Sequence, residues 1–204
     1  MKSLLAPLIL LAAAGGTNAW ASASVGQPAP AFSASDTAGR AVSLADFRGR
    51  HVVLEWVNPG CPYVRKHYDS GNMQATQRSA TAQGVVWLAV NSTSPDHRDH
   101  LAPARMAGWM QGHGAVASST LMDEDGAIGR AYGARTTPHM YVIDPQGTLV
   151  YAGAIDSKPT ANAADIATAT NHVKEALAET LAGKAVSTPV TRPYGCSVKY
   201  GSAG

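Results

Sequence analysis

The chain contains two cysteines, Cys61 and Cys196, and the chemistry that their setting favours is thiol redox chemistry. Cys61 follows the tripeptide Asn58-Pro59-Gly60 and stands directly before a predicted helix that begins at Pro62. A cysteine at this point faces unpaired backbone N–H groups and the positive end of the helix dipole, and both stabilise a thiolate over a thiol. Cys61 is therefore the candidate nucleophile.

A second local feature is the step Thr136-Thr137-Pro138, which comes immediately before a predicted strand. Proline has no N–H to donate to a strand ladder, and a cis bond there would leave the backbone of Thr137 open beside a groove. A cysteine at a helix start together with a proline before a later strand is a more specific signal than either feature alone. We expect Cys61, Thr137 and Pro138 to share one site.

The elements that would hold these residues alternate between strands and helices. Apolar runs rich in β-branched residues predict strands at residues 51–57, 85–90 and 120–122, and a hairpin at 139–143 and 148–151 around the turn 144–147. Helices are predicted at residues 62–82, from Pro103, from Asp125 to Tyr132, and at 164–182. This order predicts an α/β fold with a mixed central sheet flanked by helices.

Composition excludes several classes of protein. The 204 residues carry 16 Lys and Arg against 14 Asp and Glu, for a net charge of +2, so no basic stripe for nucleic acid is expected. Two cysteines are too few for a disulfide-rich miniprotein or for a zinc site built from paired Cys-x-x-Cys motifs. No internal repeat or long low-complexity tract indicates a solenoid or a disordered chain.

The first residues have the layout of a secretory signal peptide. A lysine at position 2 precedes an apolar run from Leu4 to Ala14, and small residues follow around Ala19 and Ala23. We predict a signal peptide at residues 1–23, cleaved after Ala19 or Ala23, a domain at 24–185, and a tail at 186–204 that carries Cys196. The apolar run is too short for a stable membrane span. The expected location is the periplasm or the outside of the cell, where thiols oxidise readily.

Longer stretches carry a family resemblance. The segment from Val25 to Phe32, the turn at residues 36–40, the residues 47–50 with the strand after them, and the hairpin at 141–147 resemble redoxin domains. These domains form the alkyl hydroperoxide reductase/thiol-specific antioxidant (AhpC/TSA) group within the thioredoxin fold. The resemblance extends over about residues 25–182. It implies a thioredoxin-like fold in which Cys61 is the redox nucleophile.

The chain departs from both motifs of that superfamily. Thioredoxin-type reductases carry Cys-x-x-Cys, whereas Val64 stands at the second cysteine position here. Peroxiredoxins carry Pro-x-x-x-Thr-x-x-Cys, which places Leu54 at the proline and Asn58 at the threonine. Arg135 corresponds to the arginine that steadies the peroxiredoxin thiolate. The resemblance thus implies a site of Cys61 with supporting residues, which are Asn58, Pro62, Arg135, Thr137 and Pro138.

Two-cysteine peroxiredoxins keep a resolving thiol in a distant segment, and by that analogy Cys196 is the partner of Cys61. Gly195 beside it indicates a loop that is mobile enough to reach the active site. The implied reaction is reduction of a peroxide, or of a protein or small-molecule disulfide, followed by recycling through an unidentified thiol reductant. No cofactor is expected.

Two alternatives remain open from the sequence. Cys61 and Cys196 can form a permanent disulfide in a non-catalytic binding or scaffold domain. Cys61 and His139 can also handle copper in the manner of Sco-type chaperones, although the second cysteine of that motif is missing. His67 is expected at the surface or at the edge of the core, because its spacing directs it away from Cys61.

Overall fold

The computed structural model describes residues 23–202, so the predicted signal peptide lies almost entirely outside the described residues. The central sheet has five strands, which are β3 (Val52–Trp56), β4 (Val86–Asn91), β5 (Ser119–Met122), β7 (Met140–Ile143) and β8 (Leu149–Gly153). Their order across the sheet is β5-β4-β3-β7-β8. Strands β3, β4 and β5 are parallel to one another, whereas β7 and β8 are antiparallel to their neighbours. The predicted mixed α/β sheet is confirmed.

Strand β3 is the middle strand of this sheet, and all five of its residues are buried. Its successive side chains point to opposite faces, so Val53 belongs to one apolar core, and Leu54 and Trp56 belong to the other. The flanking helices are α1 (Pro62–Asp69), α2 (Asn72–Thr81), α3 (Pro103–Gly112), α4 (Ala127–Tyr132) and α5 (His172–Leu181). A small hairpin of β1 (Ser33–Ser35) and β2 (Ala41–Ser43) precedes the sheet.

Two of the predicted helices are shorter than expected. The helix expected at residues 62–82 is divided into α1 and α2 at Gly71, whose φ of 78° lies in the left-handed region and cannot continue a helix. The helix expected at 164–182 is a 3-10 turn (Ala163–Thr168) followed by α5. Asn171 begins α5, because its side chain accepts a hydrogen bond from the N–H of Lys174.

The last described residues, 189–201, lie along the surface in a segment that we call the C-terminal strap. Its strand β9 (Cys196–Ser197) pairs antiparallel with β6 (Thr136–Thr137), which lies just before β7. Backbone hydrogen bonds continue on both sides, from Ala152 N to Pro189 O at 3.0 Å and from Ser94 N to Lys199 O at 2.8 Å. The tail is therefore docked over its length.

The expectation of a mobile loop at Cys196 is wrong, and Gly195 has a different purpose. A Cβ atom at this position would lie 2.1 Å from the carbonyl oxygen of Thr137, and φ is 137°. The glycine thus permits a close approach of two backbones. Among residues 23–202 no helix is long and apolar enough to cross a membrane.

Candidate active site

Cys61 lies at the carboxyl end of β3 and is the residue that caps α1. Its carbonyl oxygen accepts the first helical hydrogen bond from Arg65 N at 3.0 Å, and Pro62 occupies the first position of the helix. The position predicted for Cys61 at a helix start is confirmed. The side chain is buried, with 2% of the residue exposed.

The Thr137–Pro138 step, which comes just before β7, lies next to the Cys61 sulfur. The Thr137–Pro138 peptide bond is cis, and the Cys61 Sγ atom donates a hydrogen bond to the carbonyl oxygen of Thr137 at 3.0 Å. The structure therefore brings together Cys61, Thr137 and Pro138, as the sequence predicted. The buried Oγ1 atom of Thr137 has no hydrogen-bond partner among the described residues.

Cys196 is the residue that pairs with Thr137 in the β6–β9 ladder, and this register places the second sulfur beside the first. Both cysteines are free thiols. Burial raises the pKa of Cys196 most, and the hydrogen bond with Cys61 and the negative charge on Cys61 raise it further. The raised pKa keeps Cys196 a protonated thiol at neutral pH.

Part of the raised pKa of Cys196 depends on its neighbour Cys61. A Cys61 sulfur in a mixed disulfide or a sulfenic acid no longer carries the thiolate charge, so one cause of the raised pKa of Cys196 disappears. The second thiol then becomes easier to deprotonate beside the sulfur that it would attack. The structure thus places two thiols beside each other at one point of the backbone, and burial suppresses the ionisation of Cys196.

Asn58, which stands at the peroxiredoxin threonine position, is buried and takes part in the local loop structure. Its Nδ2 atom donates to Thr93 Oγ1 at 3.1 Å, and its Oδ1 atom accepts from Gly60 N at 2.7 Å. Both ends of the amide are thus engaged within the protein. Asn58 shapes the turn before Cys61.

Arg135 is exposed, and its backbone connects two parts of the site. Its N–H donates to His139 Nδ1 at 3.3 Å, and its carbonyl accepts from Val198 N of the strap at 3.0 Å. Burial, with the charge of Arg135 as a smaller cause, lowers the pKa of His139 to about 3. His139 is neutral at physiological pH, and its Nδ1 atom is occupied. Within residues 23–202 no group of three His, Cys, Asp or Glu side chains is arranged to hold a metal ion.

A buried polar cluster around Asp156 was not predicted from the sequence. One oxygen of Asp156 accepts from the hydroxyl of Tyr194 in the strap, and the other lies 3.4 Å from Lys66 Nζ and 3.8 Å from His67 Nε2. The side chains of Lys66 and His67 are fully buried, so of the two positions expected for His67, the surface and the edge of the core, the surface one is wrong. Burial lowers the pKa of His67, with Asp156 opposing and Lys66 reinforcing that shift.

A second residue that sequence reasoning missed is Glu55 in the middle of β3. Its carboxylate accepts hydrogen bonds from Tyr68 Oη at 2.8 Å, Gln77 Nε2 at 3.0 Å and Trp87 Nε1 at 2.7 Å. Burial raises its pKa, and the three donors oppose that shift. A single acidic residue within an otherwise apolar strand was the available signal. Glu55 joins α1, α2 and β4 beneath the site.

Comparison with known proteins shows which proteins the chain is similar to. The chain is 28% identical over 129 residues to the thiol-disulfide oxidoreductase ResA of Bacillus subtilis, and the alignment covers 63% of this chain and 66% of ResA, slightly less than two thirds of its length. The crystal structure of a hypothetical protein of Sinorhizobium meliloti has a TM-score of 0.76 at 23% identity, over 90% of this chain and 98% of that one.

A third comparison defines the fold. The thioredoxin domain of a thiol-disulfide oxidoreductase from Bacteroides vulgatus has a TM-score of 0.51 at 24% identity, over 64% of this chain and 89% of that one. The fold is thioredoxin-like, with the strap as an addition near the end of the chain. Residues 25–152 match the AhpC/TSA family. Because this match covers more than half of the chain, the chain belongs to the AhpC/TSA family.

Proposed function

We propose that this protein is an exported thiol-disulfide oxidoreductase in which Cys61 is the nucleophile and Cys196 is the resolving thiol. The observation that carries the proposal is the β6–β9 register, which pairs Cys196 with the same Thr137 whose carbonyl accepts the Cys61 thiol. Two thiols on separate elements thus meet at one point of the backbone. The raised pKa of Cys196 supports the assignment of Cys61 as the first to react.

The cycle has two exchange steps. The Cys61 thiolate attacks one sulfur of a substrate disulfide, so that the substrate S–S bond breaks, a mixed disulfide forms and one substrate thiolate leaves. Cys196 then loses its proton and attacks the Cys61 sulfur, which releases the second substrate thiolate. The substrate gains two electrons and is reduced to two thiols, while Cys61 and Cys196 are oxidised to one disulfide. An external thiol reductant returns the pair to its starting state.

The arrangement favours a disulfide substrate over a peroxide. In the peroxiredoxin motif a threonine hydroxyl holds the peroxide, but here both ends of the Asn58 amide at that position are bonded to Thr93 and Gly60. A permanent Cys61–Cys196 bridge would leave the helix-capping position of Cys61 without a chemical role. Export is supported by the signal-peptide pattern of the first residues and agrees with an oxidising environment.

The test is a trapping experiment with oxidised glutathione as the substrate disulfide. The reduced wild type should end as the Cys61–Cys196 disulfide and release two equivalents of glutathione, one for each exchange step. The variant Cys196→Ser should stop at a mixed disulfide on Cys61, detected by peptide mass spectrometry. The variant Cys61→Ser should form a mixed disulfide on Cys196 far more slowly.

Three outcomes would contradict the proposal. Equal rates of glutathionylation at the two cysteines would remove the assignment of roles. A Cys61–Cys196 disulfide that dithiothreitol does not reduce in the folded protein would favour the static bridge. Oxidation of Cys61 by hydrogen peroxide at a much higher rate than by oxidised glutathione would favour a peroxidase.

A further inference from the structure

The strap covers Cys61, the thiol that a substrate must reach in the proposed function. Cys61 is only 2% exposed, and the edge of β6 beside it is already paired with β9. An extended polypeptide that offered a disulfide to Cys61 would need this edge and the space that Cys196 fills. The docked strap and a polypeptide substrate therefore exclude each other.

Contacts on each side of Cys196 hold the strap in place. On one side, the Tyr194 hydroxyl donates to Asp156, which is itself buried with 3% exposed. On the other side, the Tyr200 hydroxyl donates to Ala134 O at 2.8 Å, and the Arg130 guanidinium lies 4.9 Å from the centre of the Tyr200 ring. Cys196 thus lies between Tyr194 and Tyr200, which we call anchors because their hydroxyl groups bind the strap to the rest of the domain.

The Tyr194 anchor is connected directly to the helix that carries Cys61. Asp156 bonds Lys66 of α1, and the Lys66 Nζ atom lies 5.5 Å from the centre of the Tyr194 ring. Tyr63, also on α1, packs edge to face on Tyr194 with ring centres 5.9 Å apart. One tyrosine side chain thereby joins the strap, the loop after β8 and the active-site helix.

We propose that the bond between Tyr194 and Asp156 is a latch that keeps the strap over Cys61, so that its opening admits polypeptide substrates while the closed form excludes them. This inference rests on the proposed function, because it concerns access to the thiol that reacts first. Asp156 keeps its bonds to Lys66 and to the N–H of Lys158 when the latch is open. Loss of the Tyr194 hydroxyl alone therefore leaves no unpaired buried carboxylate.

The test measures the alkylation of Cys61 by a maleimide attached to a long polyethylene glycol chain, in a Cys196→Ser background where Cys61 is the one remaining cysteine. Tyr194→Phe should raise the rate by about tenfold or more, the expected effect of losing one hydrogen bond to a charged group on the opening equilibrium. The rate with the small reagent iodoacetamide should rise less, because a small reagent needs a smaller opening.

The matched control is Tyr132→Phe, which removes a tyrosine hydroxyl whose hydrogen bond, to Pro30 O at 2.8 Å, is made to a residue outside the strap. It should leave both alkylation rates unchanged. Unchanged rates in Tyr194→Phe, or equal increases in the two variants, would overturn the latch. Circular dichroism and the thermal midpoint verify that the variants are folded, and Asp156→Asn provides a second variant with the same expected direction.

The alkylation does not depend on turnover. If oxidised glutathione fails to produce the Cys61–Cys196 disulfide but Tyr194→Phe still admits the bulky maleimide, the proposed function fails and the latch remains. If the disulfide forms and the bulky maleimide reacts equally with all variants, the latch fails and the proposed function remains.

Discussion

The close contact between Gly195 and Thr137 permits a quantitative prediction for Gly195→Ala. An added Cβ would lie 2.1 Å from the Thr137 carbonyl oxygen, whereas ordinary contact begins at 3.4 Å, so the two backbones must separate by about 1.3 Å. This shift breaks the pairing of Cys196 with Thr137, at about 1 kcal/mol for a lost hydrogen bond. The φ of 137° adds about 1–3 kcal/mol for a residue with a side chain.

Docking of the strap should therefore weaken by about 2–4 kcal/mol, which is about 30- to 700-fold in the opening equilibrium. The assay is the rate at which the maleimide attached to polyethylene glycol alkylates Cys61, in the Cys196→Ser background where Cys61 is the one remaining cysteine. Because opening limits access to a buried thiol, the rate should rise by a similar factor.

Gly183→Ala is the matched control. Gly183 has a φ of 71°, and an added Cβ would meet no atom within 4 Å. This variant carries the backbone strain without the steric contact, so it should lose about 1 kcal/mol of stability and leave the alkylation of Cys61 unchanged. Wild-type alkylation of Cys61 in a folded Gly195→Ala protein would refute the reasoning that the strap shields the thiol.

Three further predictions concern buried polar groups. Glu55→Ala should lower the free energy of unfolding by about 3 kcal/mol or more, because three buried donors lose their acceptor. Glu55→Gln should lower it by less, and equal losses for the two variants in urea unfolding would contradict this prediction. His139 has a folded pKa of about 3, below its usual 6.5, so it stabilises the fold above pH 6.5 and loses that contribution as the pH falls towards 3. Between pH 7 and pH 5 the loss should be about 2 kcal/mol, and His139→Gln should flatten the pH dependence of unfolding by that amount. Thr137→Val should leave the free energy of unfolding within about 0.5 kcal/mol of the wild type, because the hydroxyl has no partner among the described residues; a loss above about 1 kcal/mol in the same assay would contradict this.

The parts of the site that sequence reasoning predicted are those determined by local chain structure. Cys61 at a helix start and Pro138 before a strand depend on a few adjacent residues, and both are where the sequence placed them. The sheet was equally accessible, because its buried strands are continuous apolar runs. The break between α1 and α2 was missed, although Ser70, Gly71 and Asn72 are residues that favour turns and helix caps over helix interiors.

The parts that were not predicted depend on contacts between distant segments. Strand β9 has two residues, too few to show a periodic pattern, and its partner in β6 is equally short. The Asp156 cluster takes its members from α1, the loop after β8 and the strap, and no spacing in the sequence connects them. His67 was expected at the surface or at the edge of the core because its helical spacing directs it away from Cys61, and the buried Asp156 that it faces could not be seen from that spacing.

The hydrogen bonds of the strap have a consequence for the local stability of the fold. Ser94 after β4, Ala152 in β8 and Val198 in the strap each donate a backbone N–H to a bond that exists only while the strap is docked. Segments that open together exchange their amide protons together, whatever their separation along the chain. These three amides therefore belong to one cooperative unit whose amide exchange reports a single opening free energy, while the amides of β3 exchange only when the whole domain unfolds.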